Sequence, residues 1–147
     1  MAEIIRVFVY GTLQPGEKYH QPYCDGWVTA AEPAEVRGQL YHLPQGYPGL
    51  AAGDDIVHGS LLSFDRSAIL QRLDELEDYS PHRELSQNLY QRERTIVLSP
   101  SGLELGEAWI YRMALSRIQA LGGIYLPGGR WSSAIASQAD RRIAASL

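Results

Sequence analysis

The chain is expected to fold as an α+β domain: a small mixed, mainly antiparallel β-barrel with flanking helices. Three observations lead there. Apolar, β-branched and aromatic runs recur along the 147 residues, each about the length of a strand. Only one segment, Arg66–Asp78, carries a clear apolar stripe at helical spacing. The strands also come in runs while helices are few, which argues for α+β organisation.

Ile4–Tyr10 reads as a buried strand, and Gly and Pro stop it in the loop Gly11–Gly16. Tyr19–Trp27 is a short helix or a turn. Ala34–Leu43 alternates as a strand. Pro44–Asp55, rich in Gly, Pro and Asp, reads as a loop, and Ile56–Phe64 as the next strand. Asp65 is the expected N-cap of the helix Arg66–Asp78. Tyr90–Leu98 and Glu107–Met113 are strands joined through the turn Ser99–Gly102. A small helix is expected at Ser116–Leu121, a loop at Pro127–Arg130 and a closing helix at Ser132–Ala145. No repeat or linker divides the sequence, so one domain is expected over residues 1–147.

Composition narrows the function. The formal net charge is −4, with both signs scattered and no Lys/Arg cluster, so a nucleic-acid partner is not expected. No apolar run approaches a membrane span. The start, MAEIIRVFVY, reads as a strand and not as a signal peptide. Cys24 is the single cysteine, so no internal disulfide can form. A cytoplasmic setting is expected. Monomer and homodimer are equally open.

The chemistry is approached by elimination. The four histidines, at 20, 42, 58 and 82, do not pair at metal-ligand spacing, and no metal site is expected. Cys24 has nothing local to activate it and reads as a small core residue. No G-x-S-x-G elbow or Walker A loop is present. Carboxylates and glycine loops remain.

On a wheel of about 100° per residue, Ile69, Leu70, Leu73 and Leu76 form the apolar stripe of the central helix. Glu77 points between Leu70 and Leu73, on the stripe side. Asp74 sits nearer the edge, and Glu75 and Asp78 point away. Desolvation and the negative end of the helix dipole would both raise the pKa of an inward Glu77, making it a better base near neutral pH. The same pattern also suits a glutamate that reaches water or pairs with an arginine.

Tyr10–Gly16 runs from a buried strand into a glycine loop. Such loops can turn successive N–H groups toward one anion, and Thr12 adds a hydroxyl. A tight turn would read the same way. In GYPGL, at 46–50, Tyr47 and Pro48 could wall a pocket, while Pro48-Gly49 is also an ordinary turn signal. Tyr90 and Arg92 share a strand face. Arg92 could bind a carboxylate or lie on the surface. Trp109 and Tyr111 share a face and read as core.

These segments in succession resemble the γ-glutamylcyclotransferase-like (AIG2-like) family. The resemblance starts at VFVYGTLQPG and continues through YPGL at 47–50, VHGSLLSF at 57–64, LDELEDY at 73–79, Y-x-R at 90–92 and AWIY at 108–111. Gly129-Arg130-Trp131 is similar to a Gly-x-Trp element near the end of such proteins. The resemblance implies a small barrel and an enzyme that cyclises a γ-glutamyl amine or peptide to 5-oxoproline, with no metal or cofactor. It implies that Glu77 is the catalytic acid/base. The glutamyl group would be held by the backbone of Tyr10, Gly11, Thr12 and Leu13. From the reading of the loops and strands above, Tyr47, Pro48, Gly49, Tyr90 and Arg92 are expected as further substrate contacts.

This chain departs from the family pattern after the glutamate, where Asp78 stands in place of the glycine of many relatives. The segment Ser80–Leu89 is also long, and its Arg83 could meet a substrate carboxylate. Two other readings fit the same residues: a non-catalytic module binding a small metabolite, and a hydrolase or transferase that uses Glu77 on water.

Overall fold

The computed structural model describes residues 3–145, with side chains through Arg141; residues 1–2 and 146–147 of the expected domain lie outside it. The elements are β1 (Ile5–Val9), α1 (His20–Cys24), β2 (Val28–His42), β3 (Pro48–Phe64), α2 (Ala68–Leu76), β4 (Gln91–Leu98), β5 (Glu104–Arg112), α3 (Leu115–Ala120), β6 (Ile124–Tyr125) and α4 (Ser133–Ala145). A single 3-10 turn, Leu85–Gln87, lies between α2 and β4.

The strands pair in the order β3-β1-β5-β4-β2-β6, and β2 also pairs with β3. The pairing therefore returns to its start through five strands, with β6 on the flank. Every pairing is antiparallel except β1 with β5, so the sheet is mixed and mainly antiparallel as expected. The longest ladder joins β2 to β3, and its register shifts at Val28/Ala30 and Gly38/Gln39 let so long a hairpin curve.

One expectation fails along this hairpin. β3 begins at Pro48, so Pro48–Asp55 is strand and not loop. Proline is tolerated at a first strand position, and the apolar pair Leu40 and Leu50 holds the register. Glycine and aspartate in this stretch obscured a strand fixed by its partner. β6 went unread because two residues carry no detectable period.

β1 is buried on both faces. Val7 and Val9 join a cluster with Leu62, Phe64, Ile69 and Leu73. Phe8 and Tyr10 join a second with Val36, Val57, Ile110, Trp131 and Ala136. Alternate side chains of one strand thus feed two cores. Cys24 is buried in the first, and burial pushes its thiol up to about 11, the inert behaviour of a packed cysteine.

The end of α2 determines where Glu77 goes. The helix is shorter than expected at its start, with Ser67 and not Asp65 at the N-cap and no side-chain capping bond. At its finish, Glu77 is the C-cap and Asp78 adopts a left-handed φ of 51°. The Tyr79 amide donates to Asp74 O at 3.0 Å, and the Asp78 amide to Glu75 O at 3.4 Å. This is the Schellman closure of a helix, and its left-handed position is the one glycine suits best. Asp78 therefore sits where a non-glycine residue costs backbone strain. Asp78→Gly is expected to raise unfolding stability by about 0.5–1 kcal/mol, the relieved strain outweighing the added chain entropy. Urea denaturation of the two proteins measures it, and a loss of stability would show that the Asp78 side chain matters more than its backbone.

Candidate active site

A cavity of about 170 Å³ lies where the end of β1, the start of β3 and the end of α2 converge. Eight of its walls are Tyr10, Gly11, Thr12, Leu13, Tyr47, Pro48, Glu77 and Tyr90; Phe8, Val9, Tyr19, Leu76, Leu89 and Tyr111 complete it. Glu77 is the only side chain of formal charge on this lining among the described residues.

That isolation sets its chemistry. Glu77 is half-buried on the wall of the cavity, and among the described residues no cation pairs with it. Desolvation pushes its carboxyl up to about 8. The phenols around it move the same way. Burial raises Tyr10, Tyr47, Tyr90 and Tyr111, and the Glu77 charge adds to the rise in each. All four therefore stay protonated at neutral pH.

Three of these tyrosines are also tied down. Tyr10 donates its hydroxyl to Tyr111 O, Tyr90 donates to Pro48 O, and Tyr111 donates to Asp74 Oδ1 at 2.7 Å. Rings fixed by both packing and a hydrogen bond form walls that do not rearrange.

The loop after β1 has its carbonyls accounted for. Gly11 O accepts from the Gln14 amide at 3.0 Å, Thr12 O from the Tyr19 amide at 2.8 Å, and Leu13 O pairs with His20 Nδ1 at 2.8 Å. The amides of Thr12 and Leu13 have no protein acceptor among the described residues. Gly11 is required here by space: a Cβ would lie 2.5 Å from Pro48 Cγ. Loop and β3 therefore approach more closely than any other residue would allow.

Arg92 and Gly49, expected as substrate contacts, do not line the cavity. Arg92 Nε is 2.9 Å from Asp74 Oδ1, and its guanidinium lies 4.6 Å from the Trp109 ring. An acid one turn before Glu77 takes up this cation. Gly49 follows Pro48 in a strand, so it faces the other way, where a Cβ would meet Met113 and Ile118 at 3.2 Å. Arg83 pairs with Asp78 at 3.0 Å.

Sequence reasoning missed Phe8, Val9, Tyr19, Leu76, Leu89 and Tyr111 as lining. Tyr111 read as core and is buried, yet it also borders the cavity. Tyr19 and Leu89 come from irregular segments with no period to read. Leu76 could have been found from the wheel, beside Glu77 at the end of the stripe.

A mixed sheet closed on itself, holding one unpaired acid across a cavity from a glycine loop, defines a small α+β barrel protein with a single-acid pocket. Residues 7–133 match the family described as gamma-glutamyl cyclotransferase, AIG2-like, and the chain belongs to that family. It is 33% identical, over 71% of its own length and 65% of the relative's, to a Niallia circulans protein named gamma-L-glutamyl-butirosin B gamma-glutamyl cyclotransferase. It is 32% identical, over 71% of its length and 78% of the relative's, to a putative gamma-glutamylcyclotransferase of Vibrio cholerae serotype O1. Its fold is that of an AIG2-like protein from Mus musculus, with a TM-score of 0.65 at 21% identity over 88% of this chain and 89% of that one. No helix among the described residues is long and apolar enough to cross a membrane.

The raised Glu77 pKa has a consequence for stability. A carboxyl at about 4.5 unfolded and about 8 folded favours the folded state fully below 4.5, and that contribution is lost as pH rises through 8. Glu77→Gln removes the titration. Relative to wild type, the variant is expected to gain on the order of 2–3 kcal/mol between pH 5 and pH 9, less than the full shift because the cavity admits water. Urea unfolding at the two pH values checks this; an equal difference at both would mean that Glu77 titrates normally.

Proposed function

We propose that this chain is an enzyme of the γ-glutamylcyclotransferase type and that Glu77 moves the proton. The observation that carries the reading is the lone unpaired carboxylate on a cavity also lined by Thr12 and Leu13, whose amides have no protein acceptor among the described residues. The substrate is a γ-glutamyl amine or peptide. Its α-amine attacks its own γ-carbonyl carbon, a C–N bond forms, and the bond to the leaving nitrogen breaks. Glu77 takes the proton from the attacking amine and returns it to the departing one. The products are 5-oxoproline and a free amine, and no atom is gained or lost.

The remaining residues bind and orient. The Thr12 and Leu13 amides and the Thr12 hydroxyl hold the substrate's α-carboxylate or the developing oxyanion. Tyr10, Tyr47, Tyr90 and Pro48 enclose the glutamyl chain in a folded form. Nucleophile and electrophile belong to one molecule, so enforced folding supplies much of the acceleration. This accounts for a site with a single ionisable catalyst. A carboxyl pushed to about 8 is well matched to the task, being both a competent base and a ready acid near neutral pH.

Incubation with a panel of γ-glutamyl amines and peptides, scored by 5-oxoproline release, tests the reading. Wild type is expected to turn over at least one compound, with kcat/KM rising with pH through about 8 as Glu77 ionises. Glu77→Gln is expected to lose about 10³-fold or more. Retained activity in that variant would remove Glu77 from the mechanism. An inactive wild type would favour a metabolite-binding module with the same pocket.

A further inference from the structure

The donor loop of the cavity is held by a chain of hydrogen bonds that reaches to the last helix. Gln14 Nε2 donates to Gly11 O at 3.2 Å and to Trp131 O at 2.9 Å. Both partners are carbonyl oxygens, so the amide nitrogen and not its oxygen must face them. Trp131 in turn donates its indole N–H to His42 Nδ1 at 3.1 Å. His42 Nε2 lies 2.8 Å from Asp140 Oδ1, on α4.

These contacts fix the state of His42. An indole N–H can only donate, so Nδ1 must offer a lone pair. The ring hydrogen then sits on Nε2, where the Asp140 carboxylate accepts it. His42 is completely buried and Trp131 nearly so, so neither group can turn to water instead. One further bond runs parallel: the Ser133 amide, at the start of α4, donates to Glu17 Oε1 at 3.3 Å. The segment from Trp131 into α4 thus grips the loop at two points.

We propose that Gln14 is a positioning residue. It orients the Gly11–Leu13 loop, while Asp140, through His42 and Trp131, fixes the carbonyl to which Gln14 is anchored. None of these four side chains is needed for proton transfer, and neither Gln14, His42 nor Asp140 lines the cavity. Their effect is geometric. With Gly11 O and Trp131 O drawn to a single amide, the backbone that carries the Thr12 and Leu13 N–H groups has one orientation and not several. The loop amides then meet the ligand already ordered. This rests on the proposed role of the loop in holding the glutamyl carboxylate.

Gln14→Ala, Gln14→Glu and Asp140→Ala, each in the full chain, test the proposal by two readouts. For 5-oxoproline release, both Gln14 variants are expected to raise KM about tenfold and change kcat less than about threefold, with the pH rise near 8 unmoved. Gln14→Glu is expected to be at least as impaired as Gln14→Ala, because a carboxylate has no hydrogen to give two carbonyls. A space-filling role predicts the opposite order. Independently of activity, 1H–15N spectra are expected to show the Thr12 and Leu13 amides shifted in both Gln14 variants and, more weakly, in Asp140→Ala. The His42 ring is expected to be protonated on Nε2 in wild type. Unmoved loop amides in Gln14→Ala, or a His42 ring protonated on Nδ1, would overturn the proposal. Should wild type release no 5-oxoproline from any substrate, the functional reading fails on its own, and the amide shifts still decide the positioning claim.

Discussion

The site depends on one energetic constraint, the burial of a carboxylate with nothing to neutralise it. Glu77 stands on an apolar helix face against aromatic rings, and desolvation is the cause of its raised pKa. Three residues earlier, Asp74 meets a different environment. Burial raises its pKa too, but the Tyr111 hydroxyl and the Arg92 guanidinium oppose the rise. One helix thus carries two inward acids of similar chemistry. The partnered one ties α2 to Arg92 and Tyr111, and the unpartnered one borders the cavity with a raised pKa.

The backbone makes that environment possible. Closing the sheet through β1 and β5, at Val7 and Trp109, brings the first strand beside Tyr111 and its neighbours. The Schellman turn at Asp78 and Tyr79 ends α2 where Glu77 can leave the helix direction and border the cavity. The contact of Gly11 with Pro48 brings the donor loop against β3. These are backbone placements of limited freedom. A cavity defined by them tolerates little drift of the groups on its wall.

Much of this was legible in the sequence, and what was not has physical reasons. The inward lean of Glu77 followed from helical period, because Leu70 and Leu73 fix which side of α2 is buried. The antiparallel strands at 56–64, 90–98 and 107–113 followed from alternation and β propensity. The strand over Pro48–Asp55 did not, since its stability comes from pairing with β2 and not from its composition. Arg92 could not be assigned because Asp74, its partner, looked like an edge residue on the wheel. Tyr111 illustrates a general ambiguity: a buried aromatic at strand spacing is core by period, and only the tertiary structure shows that one side of it borders a cavity.

The same distinction separates local chemistry from long-range contacts. A residue whose chemistry is intrinsic, such as an acid on an apolar stripe, leaves a trace in the local pattern. A residue that works by joining distant segments leaves none. Gln14 and Trp131 are 117 positions apart, and His42 and Asp140 are 98 apart, yet each pair meets within 3 Å. No periodicity links them, and each alone reads as an ordinary polar or aromatic side chain. The Gly-Arg-Trp element at 129–131 gains its meaning here. Its tryptophan donates one hydrogen bond from the ring and accepts another at its backbone carbonyl, and so joins β2 to the loop after β1. The segment from Trp131 into α4 is therefore part of the frame around the cavity, although among the described residues α4 contributes none to its lining.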